Sequence, residues 1–285
     1  MRLGLGTPIV LGLPGLTPEW ETTAGPEELA QIASVADELG FDHLICSEHV
    51  GVPPGTDGMR GTTYWDPLAT LSFLAAHTSQ IRLTTSVLVL PYHHPVAIAK
   101  RYGTLDRLSG GRLTLGVGVG SLKEEFELLG APWAGRGALV DDTLRALRAI
   151  WGRREASYSG SHHDFSDWVI DPHGVQPQLP IWVGGQSRKS LERAVELGDG
   201  WMPFGLTGEQ LSDLLGSVPT PNGFEVVLAP GRPLDPLGDP EATQRRLERS
   251  FSVGATVCQI KIQATSASHY VEQLRALSDQ VEIGA

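Results

Sequence analysis

The sequence is poor in cysteine, in basic residues and in long apolar runs, and each shortage excludes a class of protein. Cys46 and Cys258 are its 2 cysteines, too few for a zinc ligand set or a disulfide scaffold. Its 22 Lys and Arg face 33 Asp and Glu, a formal net charge of −11. This charge argues against a nucleic-acid partner, because a phosphate backbone requires a basic surface. No stretch approaches the roughly 20 apolar residues that span a bilayer, so we expect a cytoplasmic protein without a membrane partner.

What the sequence has instead is a regular alternation of strand-like and helix-like segments. Apolar runs predict eight strands, at 3–6, 42–46, 82–89, 113–117, 180–183, 200–203, 224–228 and 257–262. Helical periodicity follows each of them, at 26–39, 66–78, 95–108, 136–151, 187–197, 207–215, 241–251 and 267–277. Strict alternation implies a parallel sheet, and eight units match a closed (β/α)8 TIM barrel. No linker divides the chain, so residues 1–285 are predicted to form one barrel domain.

Three connecting segments are too long for tight turns, at 7–25, 50–64 and 153–179. The first two follow predicted strands, and barrel enzymes build their sites from the loops at the carboxyl ends of the strands. We therefore expect loop insertions at the C-terminal mouth of the barrel. The third segment follows a helix, so we expect it on the outside of the barrel or as a lid.

Glu48 and His49 follow the second predicted strand and should lie at the barrel mouth. Histidine can donate or accept a proton near neutral pH, and a neighbouring Glu48 could fix its tautomer or raise its pKa. These two residues are the candidate catalytic pair. The alternative is a Glu–His pair that only caps the strand. The adjacent histidine pairs at 93–94 and 162–163 lack the spacing of helical metal ligands, so no metal site is predicted.

Two glycine-containing turns are candidates for binding a cofactor. The run 116–120 lets a flat ligand approach the backbone, but Ser121 stands where the dinucleotide fingerprint requires its third glycine. The turn 184–187 leads into a helix whose free N–H groups and dipole suit a phosphate. Arg188 and Lys189 follow it with positive charge. The alternative is an ordinary strand-to-helix turn with Ser187 as the N-cap.

Taken together in chain order, these segments resemble the luciferase-like oxidoreductase superfamily, in the branch that uses coenzyme F420, a 5-deazaflavin. The resemblance extends to about residue 203. The matching segments are Ser47-Glu48-His49, Thr85-Ser86-Val87, Pro95 through Lys100, Thr104 through Arg112, Leu115 through Gly120, Glu124-Glu125-Phe126, Leu129-Gly130, Arg136-Gly137, Pro180 through Gly185 and Gly198 through Trp201.

The resemblance implies a barrel with the deazaflavin ring at the C-terminal mouth, and a homodimer. Glu48 and His49 would lie beside the reactive ring. Ser86 and Val87 would form a non-prolyl cis peptide behind it. The remaining cofactor contacts would come from Val119, Gly120, Ser121, Gly184, Gly185, Gln186, Ser187 and Arg188. Relatives that oxidise sugar phosphates carry a glutamate at the position of Ser121, so this substrate is not expected and no second acid is assigned.

The expected function is hydride transfer between coenzyme F420 and a small organic substrate. Two alternatives stay open: an FMN-dependent luciferase-like monooxygenase that uses reduced flavin and O₂, and a catalytically silent protein that binds flavin or deazaflavin. Intact Glu48 and His49 argue against the silent protein. Arg188 and Lys189 favour F420, because its oligoglutamate tail is acidic.

Overall fold

The computed structural model describes residues 1–55 and 57–284. Its strands are β1 (Leu3–Leu5), β2 (Leu11–Gly12), β3 (His43–Cys46), β4 (Thr63–Tyr64), β5 (Arg82–Thr85), β6 (Leu88–Val89), β7 (Leu113–Gly118), β8 (Glu155–Ser159), β9 (Asp164–Val169), β10 (Ile181–Gly184), β11 (Gly200–Met202), β12 (Glu225–Leu228) and β13 (Val257–Ile260). Its helices are α1 (Glu19–Thr23), α2 (Pro26–Glu38), α3 (Asp57–Arg60), α4 (Pro67–Ala76), α5 (Pro95–Leu108), α6 (Lys123–Leu129), α7 (Arg136–Ile150), α8 (Arg188–Leu197), α9 (Gly208–Ser217), α10 (Pro240–Ser252) and α11 (Ala267–Gln280), with a 3₁₀ turn at Leu90–Tyr92.

Parallel strands close into a ring in the order β1, β3, β5, β7, β10, β11, β12 and β13. Val183 of β10 pairs with Val117 of β7, and Leu3 of β1 pairs with Cys258 of β13, so no edge is left open. The predicted (β/α)8 barrel with insertions at its C-terminal mouth is confirmed. Each predicted strand and helix is present, with ends that move by a few residues.

One predicted strand is interrupted. The segment 82–89 divides into β5 and β6, and the Ser86–Val87 peptide between them is cis. Pairing with β7 resumes at Leu88, which lies opposite Val117. The cis peptide implied by the resemblance is therefore confirmed, and it lies at the carboxyl end of the third barrel strand.

Local sequence explains where helices such as α2 begin and end. Pro26 occupies its first position, where a missing N–H costs nothing. The Glu28 carboxylate accepts a hydrogen bond from the Gly25 N–H at 2.8 Å, and Leu29 and Ile32 lie on its buried face. The helix ends before Gly40, whose φ of 79° is one that glycine adopts without strain.

The amino-terminal end of the barrel is filled by a polar network. His43 is fully buried and its imidazole occupies the space above Gly4, where an added Cβ would lie 1.9 Å from the ring. Asp42 accepts hydrogen bonds from His43 Nδ1 and Arg2 Nε, each at 2.8 Å. Trp182 Nε1 donates to Glu225 at 2.6 Å. Arg2 pairs with both carboxylates, Asp42 and Glu225, and so links the two parts of this network.

The long connections have structure of their own. Strands β2 and β4, one from each of the two mouth insertions, pair as an antiparallel ribbon. The third long segment forms the β8–β9 hairpin, whose turn is held by Asp142 of the outer helix α7 through the N–H groups of His162 and His163, both at 2.9 Å. The hairpin thus lies outside the barrel. Among the described residues, no helix is long and apolar enough to cross a membrane.

Candidate active site

Glu48, just beyond the carboxyl end of β3, is buried with 7% of its surface exposed. Its Oε2 accepts a hydrogen bond from the Val89 N–H at 2.6 Å, and His93 Nε2 lies 2.7 Å from its Oε1. Both partners belong to the segment that follows the cis peptide. Glu48 therefore fixes the chain behind the Ser86–Val87 bond rather than contacting its neighbour His49.

His49 finds its carboxylate partner in another part of the sequence. Its Nδ1 lies 2.9 Å from Oε2 of Glu125, and the ring of Tyr64 meets the imidazole edge-on with centroids 4.5 Å apart. The side chain is 17% exposed, and Nε2 makes no hydrogen bond to any residue that the structure describes. Glu125, not Glu48, is the carboxylate that orients His49.

Glu125 lies in the first turn of α6, with its side chain fully enclosed. The carboxylate accepts hydrogen bonds from Val50 N–H, from Gly51 N–H at 3.2 Å and from the Tyr92 hydroxyl at 3.0 Å, besides its contact with His49. Burial acts to raise the pKa of Glu125, but the hydrogen bonds from His49 and Val50 outweigh it and the pKa is lowered. Glu125 is therefore ionised at neutral pH.

An ionised carboxylate can only accept hydrogen bonds, which decides the proton positions around it. His49 carries its proton on Nδ1, so Nε2 is the nitrogen that can gain or lose one. Tyr92 stays protonated, because burial and then the charge of Glu125 raise the pKa of its hydroxyl well above the usual value. The arrangement leaves Nε2 of His49 as the imidazole nitrogen that no described residue engages at the barrel mouth.

The floor of the mouth is formed by Val87 and the glycines around it. A Cβ added at Gly118 would lie 2.6 Å from Val87 Cγ2, and one added at Gly184 would lie 2.9 Å from Val87 Cγ1. Glycine at both positions gives the Val87 side chain room to pack on the inner cluster with Trp182 and Met202. Val87 thus closes the barrel interior, and the mouth ends in a surface of backbone and small side chains.

Ser86 and Ser47 hold the two strand ends at the mouth together. The Ser47 hydroxyl donates to the Ser86 carbonyl at 2.7 Å, and the Ser86 hydroxyl contacts Met202 Sδ at 3.2 Å. These bonds fix the cis peptide between the second and third barrel strands. Ser86 and Val87 therefore lie at the barrel mouth, and their contact with a cofactor ring stays a prediction.

The segment 119–121 forms the adjacent wall. Val119 is half-buried against the main core. Gly120 has a φ of 76°, and a Cβ there would lie 2.6 Å from the ring of Phe126, so a larger residue would displace the start of α6. Ser121 is exposed, and its hydroxyl lies 3.3 Å from Nη1 of Arg60 in the second insertion. That contact places a guanidinium beside the predicted cofactor wall.

The turn 184–187 leads directly into the N-terminus of α8. Gly185 has a φ of 135°, and a Cβ there would lie 2.7 Å from the Ser190 Cβ. The Ser187 hydroxyl accepts from the Ser190 N–H at 3.2 Å, so Ser187 is the N-cap of α8. The N–H groups that precede Ser190 in the first turn of α8 have no acceptor in the backbone of that helix. The exposed amide of Gln186 lies beside them.

The two basic residues after this turn differ in their surroundings. Arg188 forms an ion pair with Glu192 on the outside of α8, with Nε and Oε1 2.7 Å apart. Lys189 is exposed and takes part in no ion pair within residues 1–55 and 57–284. The charge of Arg188 is therefore offset by Glu192, whereas that of Lys189 is available to a ligand. No group of three or more His, Cys, Asp or Glu in the described chain could hold a metal.

A protein-family model matches most of the chain. The model of the luciferase-like monooxygenase family matches residues 1–218. The chain belongs to this family.

The similar curated proteins use different cofactors. An uncharacterized protein of Mycobacterium tuberculosis is 33% identical over 186 residues, which cover 61% of this chain and 66% of that protein. The F420-dependent glucose-6-phosphate dehydrogenase of Amycolatopsis mediterranei is 29% identical over 182 residues (62% of this chain, 53% of the enzyme). The FMNH₂-dependent dimethylsulfone monooxygenase of Pseudomonas putida is 28% identical over 180 residues (61% and 48%). The matched segments thus cover 48% to 66% of these proteins' own lengths, less than two thirds in each case, and both cofactors occur in their names.

Solved structures share the fold over nearly the full chain. A monooxygenase of Streptomyces bottropensis superposes with a TM-score of 0.75 at 20% identity and covers 99% of this chain and 98% of its own. An F420-dependent secondary alcohol dehydrogenase, solved with an F420–acetone adduct, gives a TM-score of 0.73 at 14% identity, with coverage of 97% and 98%. At these identities the likeness establishes the luciferase-like barrel fold.

Proposed function

We propose that this luciferase-like protein transfers hydride between coenzyme F420 and a small organic substrate. The observation that carries the proposal is His49, whose Nδ1 is fixed by the ionised Glu125 while Nε2, at the mouth of the barrel, has no partner among the described residues. Such a nitrogen can deliver or remove the proton that accompanies hydride transfer to a carbonyl or from an alcohol. Glu125 acts as the positioning residue.

The residues around the mouth fit a planar cofactor with a phosphate. Val87, with no side chain from Gly118 or Gly184 beside it, would form the floor under a ring, and the first turn of α8 offers N–H groups to a phosphate. A bound 5-deazaflavin would supply two-electron hydride chemistry with little reaction with oxygen. The chain itself would position the ring, exclude water and hold a proton at His49 Nε2.

Glu48 has a different role in this proposal from the one that its sequence position predicts. Its carboxylate binds Val89 and His93, so we assign it to holding the cis peptide and the floor in place. The homodimer and the cytoplasmic location stay predictions from the sequence.

FMN is the second candidate cofactor, because the similar curated proteins include an FMNH₂-dependent monooxygenase at an identity close to that of the F420-dependent enzyme.

The choice between the two cofactors is tested by titrating the purified protein with F420 and with FMN and following ligand fluorescence. We expect F420 to bind more tightly, since Lys189, next to the phosphate turn, forms no ion pair with the described residues and can meet its acidic tail. Micromolar FMN binding without F420 binding would refute the proposed cofactor.

The phosphate position is tested with Gln186→Glu, which places a carboxylate beside the turn without changing side-chain size. We expect about tenfold weaker cofactor binding, equivalent to about 1.4 kcal/mol. Gln31→Glu is the matched control, because it adds the same charge on the exposed face of α2. Equal affinities in the two variants would show that the phosphate lies elsewhere.

A further inference from the structure

A cleft with no assigned role lies between helices α9 and α10 and the loops that follow β11 and β12. Its volume is about 240 Å³, and its walls come from those loops and from helices α9 and α10. We call it the α9–α10 cleft, and its principal lining residues are Pro203, Phe204, Leu211, Leu228, Arg246 and Arg249. It is separate from His49, which lies on the opposite side of the strand ring.

The cleft carries positive charge that the structure does not neutralise. Neither Arg246 nor Arg249 takes part in an ion pair within the described residues, although Arg245 of the same helix pairs with Glu241 at 3.2 Å. Burial and then the positive charge of Arg232 lower the pKa of Arg246. In a chain with a net charge of −11, such a local excess of arginine is a feature that an anion would stabilise.

The two cleft arginines are held differently. The Arg246 guanidinium donates to the carbonyl groups of Pro230 at 3.0 Å, Pro233 at 3.0 Å and Arg232, so it is fixed in the wall. Arg249 lies one turn further along α10, is exposed, and makes no side-chain hydrogen bond to the described residues. Arg249 is therefore free to form a bidentate pair with a carboxylate or phosphate.

The remaining walls and the size of the cleft limit what it could hold. Pro203, Leu211 and Leu228 give it apolar sides, and Phe204 at its rim is 62% exposed. A volume of about 240 Å³ is below the usual range for a whole cofactor or drug-sized ligand. It suits the anionic end of a ligand whose other part lies outside the cleft.

The cleft also adjoins the turn 184–187. Gly205 belongs to its lining, and a Cβ added at Gly205 would lie 3.3 Å from Gln186 Oε1. A ligand whose phosphate rested at the start of α8 could therefore extend past Gly205 into the cleft.

We propose that the α9–α10 cleft is an anion subsite, in which Arg249 pairs with a carboxylate or phosphate group and the apolar walls contact the chain that carries it. The group could be the far end of the cofactor bound at 184–187 or part of a separate anionic substrate. The subsite is argued from its own residues and does not depend on the hydride-transfer proposal.

The experiment compares wild type with Arg249→Gln and with Arg245→Gln, the matched control on the outer face of α10. Three probes are titrated: F420 with its glutamate tail, the corresponding deazaflavin without glutamates, and citrate added to the cofactor-free protein and followed by its melting temperature. We expect Arg249→Gln to weaken binding of tailed F420 or of citrate about tenfold, and Arg249→Lys to restore part of it. Arg245→Gln should change neither.

Each outcome has a distinct meaning. Weaker binding of tailed F420 alone, with unchanged binding of the tail-less form, identifies the cofactor tail as the occupant. Weaker binding of citrate alone identifies a separate acid. If Arg249→Gln binds every probe as wild type does, the subsite is refuted. If citrate binds in an Arg249-dependent way but no deazaflavin binds, the subsite stands and the proposed function fails.

Discussion

Strand β3 has a histidine–carboxylate pair at each end, and the two pairs differ in one respect. At the amino end, His43 Nδ1 lies 2.8 Å from Asp42, and beyond the carboxyl end His49 Nδ1 lies 2.9 Å from Glu125. His43 is fully buried and meets Trp182 edge-on with centroids 5.1 Å apart. His49 is 17% exposed. The same chemical pair is enclosed at one end of the barrel and open at the other.

The two histidines therefore differ in what they can do: His43 stabilises the fold, whereas His49 can also contact a substrate. His43 Nε2 is buried without a hydrogen-bond partner, so no substrate can reach the nitrogen that Asp42 leaves free. His49 Nε2 belongs to a side chain that contacts solvent at the mouth. A carboxylate partner alone therefore does not mark a catalytic histidine. The imidazole nitrogen that does not face the carboxylate must also be accessible to a substrate.

The largest expected effect is on the open pair. His49→Asn should lower the rate of hydride transfer by about 10²–10⁴-fold, the usual loss when a positioned acid–base group is removed. Because an asparagine amide can still donate to Glu125 and the His49 side chain is already 17% exposed, the melting temperature should fall less than in His43→Asn. The measurement is single-turnover oxidation or reduction of F420 at saturating cofactor.

The enclosed pair supplies the control for that experiment. His43→Asn should lower the melting temperature, because the imidazole fills the space above Gly4, while the folded fraction transfers hydride at the wild-type rate. Wild-type turnover in His49→Asn across pH 6 to 8 would show that His49 has no catalytic role.

A smaller effect, on stability, is expected at Asp42. Burial acts to raise its pKa, but hydrogen bonds and charge from His43 and Arg2 outweigh it and lower the pKa to about 2. Since the folded pKa lies below the unfolded value near 3.9, Asp42 stabilises the fold above about pH 4 and loses this contribution as the pH falls to about 2. The stabilisation is about 2 kcal/mol at neutral pH.

Asp42→Asn should therefore lower the free energy of unfolding in urea at pH 7, and the difference from wild type should shrink as the pH falls below 4. The exposed Asp279→Asn on α11 serves as the control. A difference that stays constant down to pH 2 would contradict the lowered pKa.

The smallest expected effect is at Glu125. Glu125→Gln keeps an oxygen for the Val50 and Gly51 N–H groups but turns an NH₂ group toward His49 Nδ1, which shifts the histidine proton to Nε2. We expect about a tenfold lower rate, near 1.4 kcal/mol, and a changed pH profile of hydride transfer. Glu124→Gln, the exposed neighbour, is the control. A lower melting temperature with an unchanged pH profile would reduce Glu125 to a structural role.

Elements with strong local signals could be predicted from the sequence. Helix α5 runs over Pro95–Leu108 as predicted, because Pro95 begins it, its apolar spacing is regular and glycines follow it. The cis peptide at Ser86–Val87 follows from the family resemblance alone and not from any local pattern, whereas the turn 184–187 is predicted by its glycines and the helix that follows. Ser187 serves as the N-cap that the ordinary interpretation of that turn requires.

Contacts between distant segments could not be predicted in this way. Glu125 is 76 residues from its partner His49, and no local rule links the two. Glu125 does lie in one of the segments that carry the family resemblance, but the resemblance gave it no role, and the local signal is weak. Leu122 and Phe126 define the buried face of α6, and at helical spacing Glu125 falls on that face whereas Glu124 does not. A carboxylate on an apolar face requires a partner, but the sequence does not say which one.

The pairing of β2 with β4 has a consequence for anyone who wishes to alter substrate range. Gly12 lies opposite Thr63 in this ribbon, and a Cβ added at Gly61 would lie 1.8 Å from the Gly12 carbonyl oxygen. The Trp65 N–H also bonds the Val10 carbonyl at 3.0 Å. Residues of the two insertions therefore cannot be substituted independently of one another. A library that randomises residues 7–25 or residues 50–64 alone will mostly sample broken ribbons, whereas exchanging both segments together keeps the mouth closed around a differently shaped pocket.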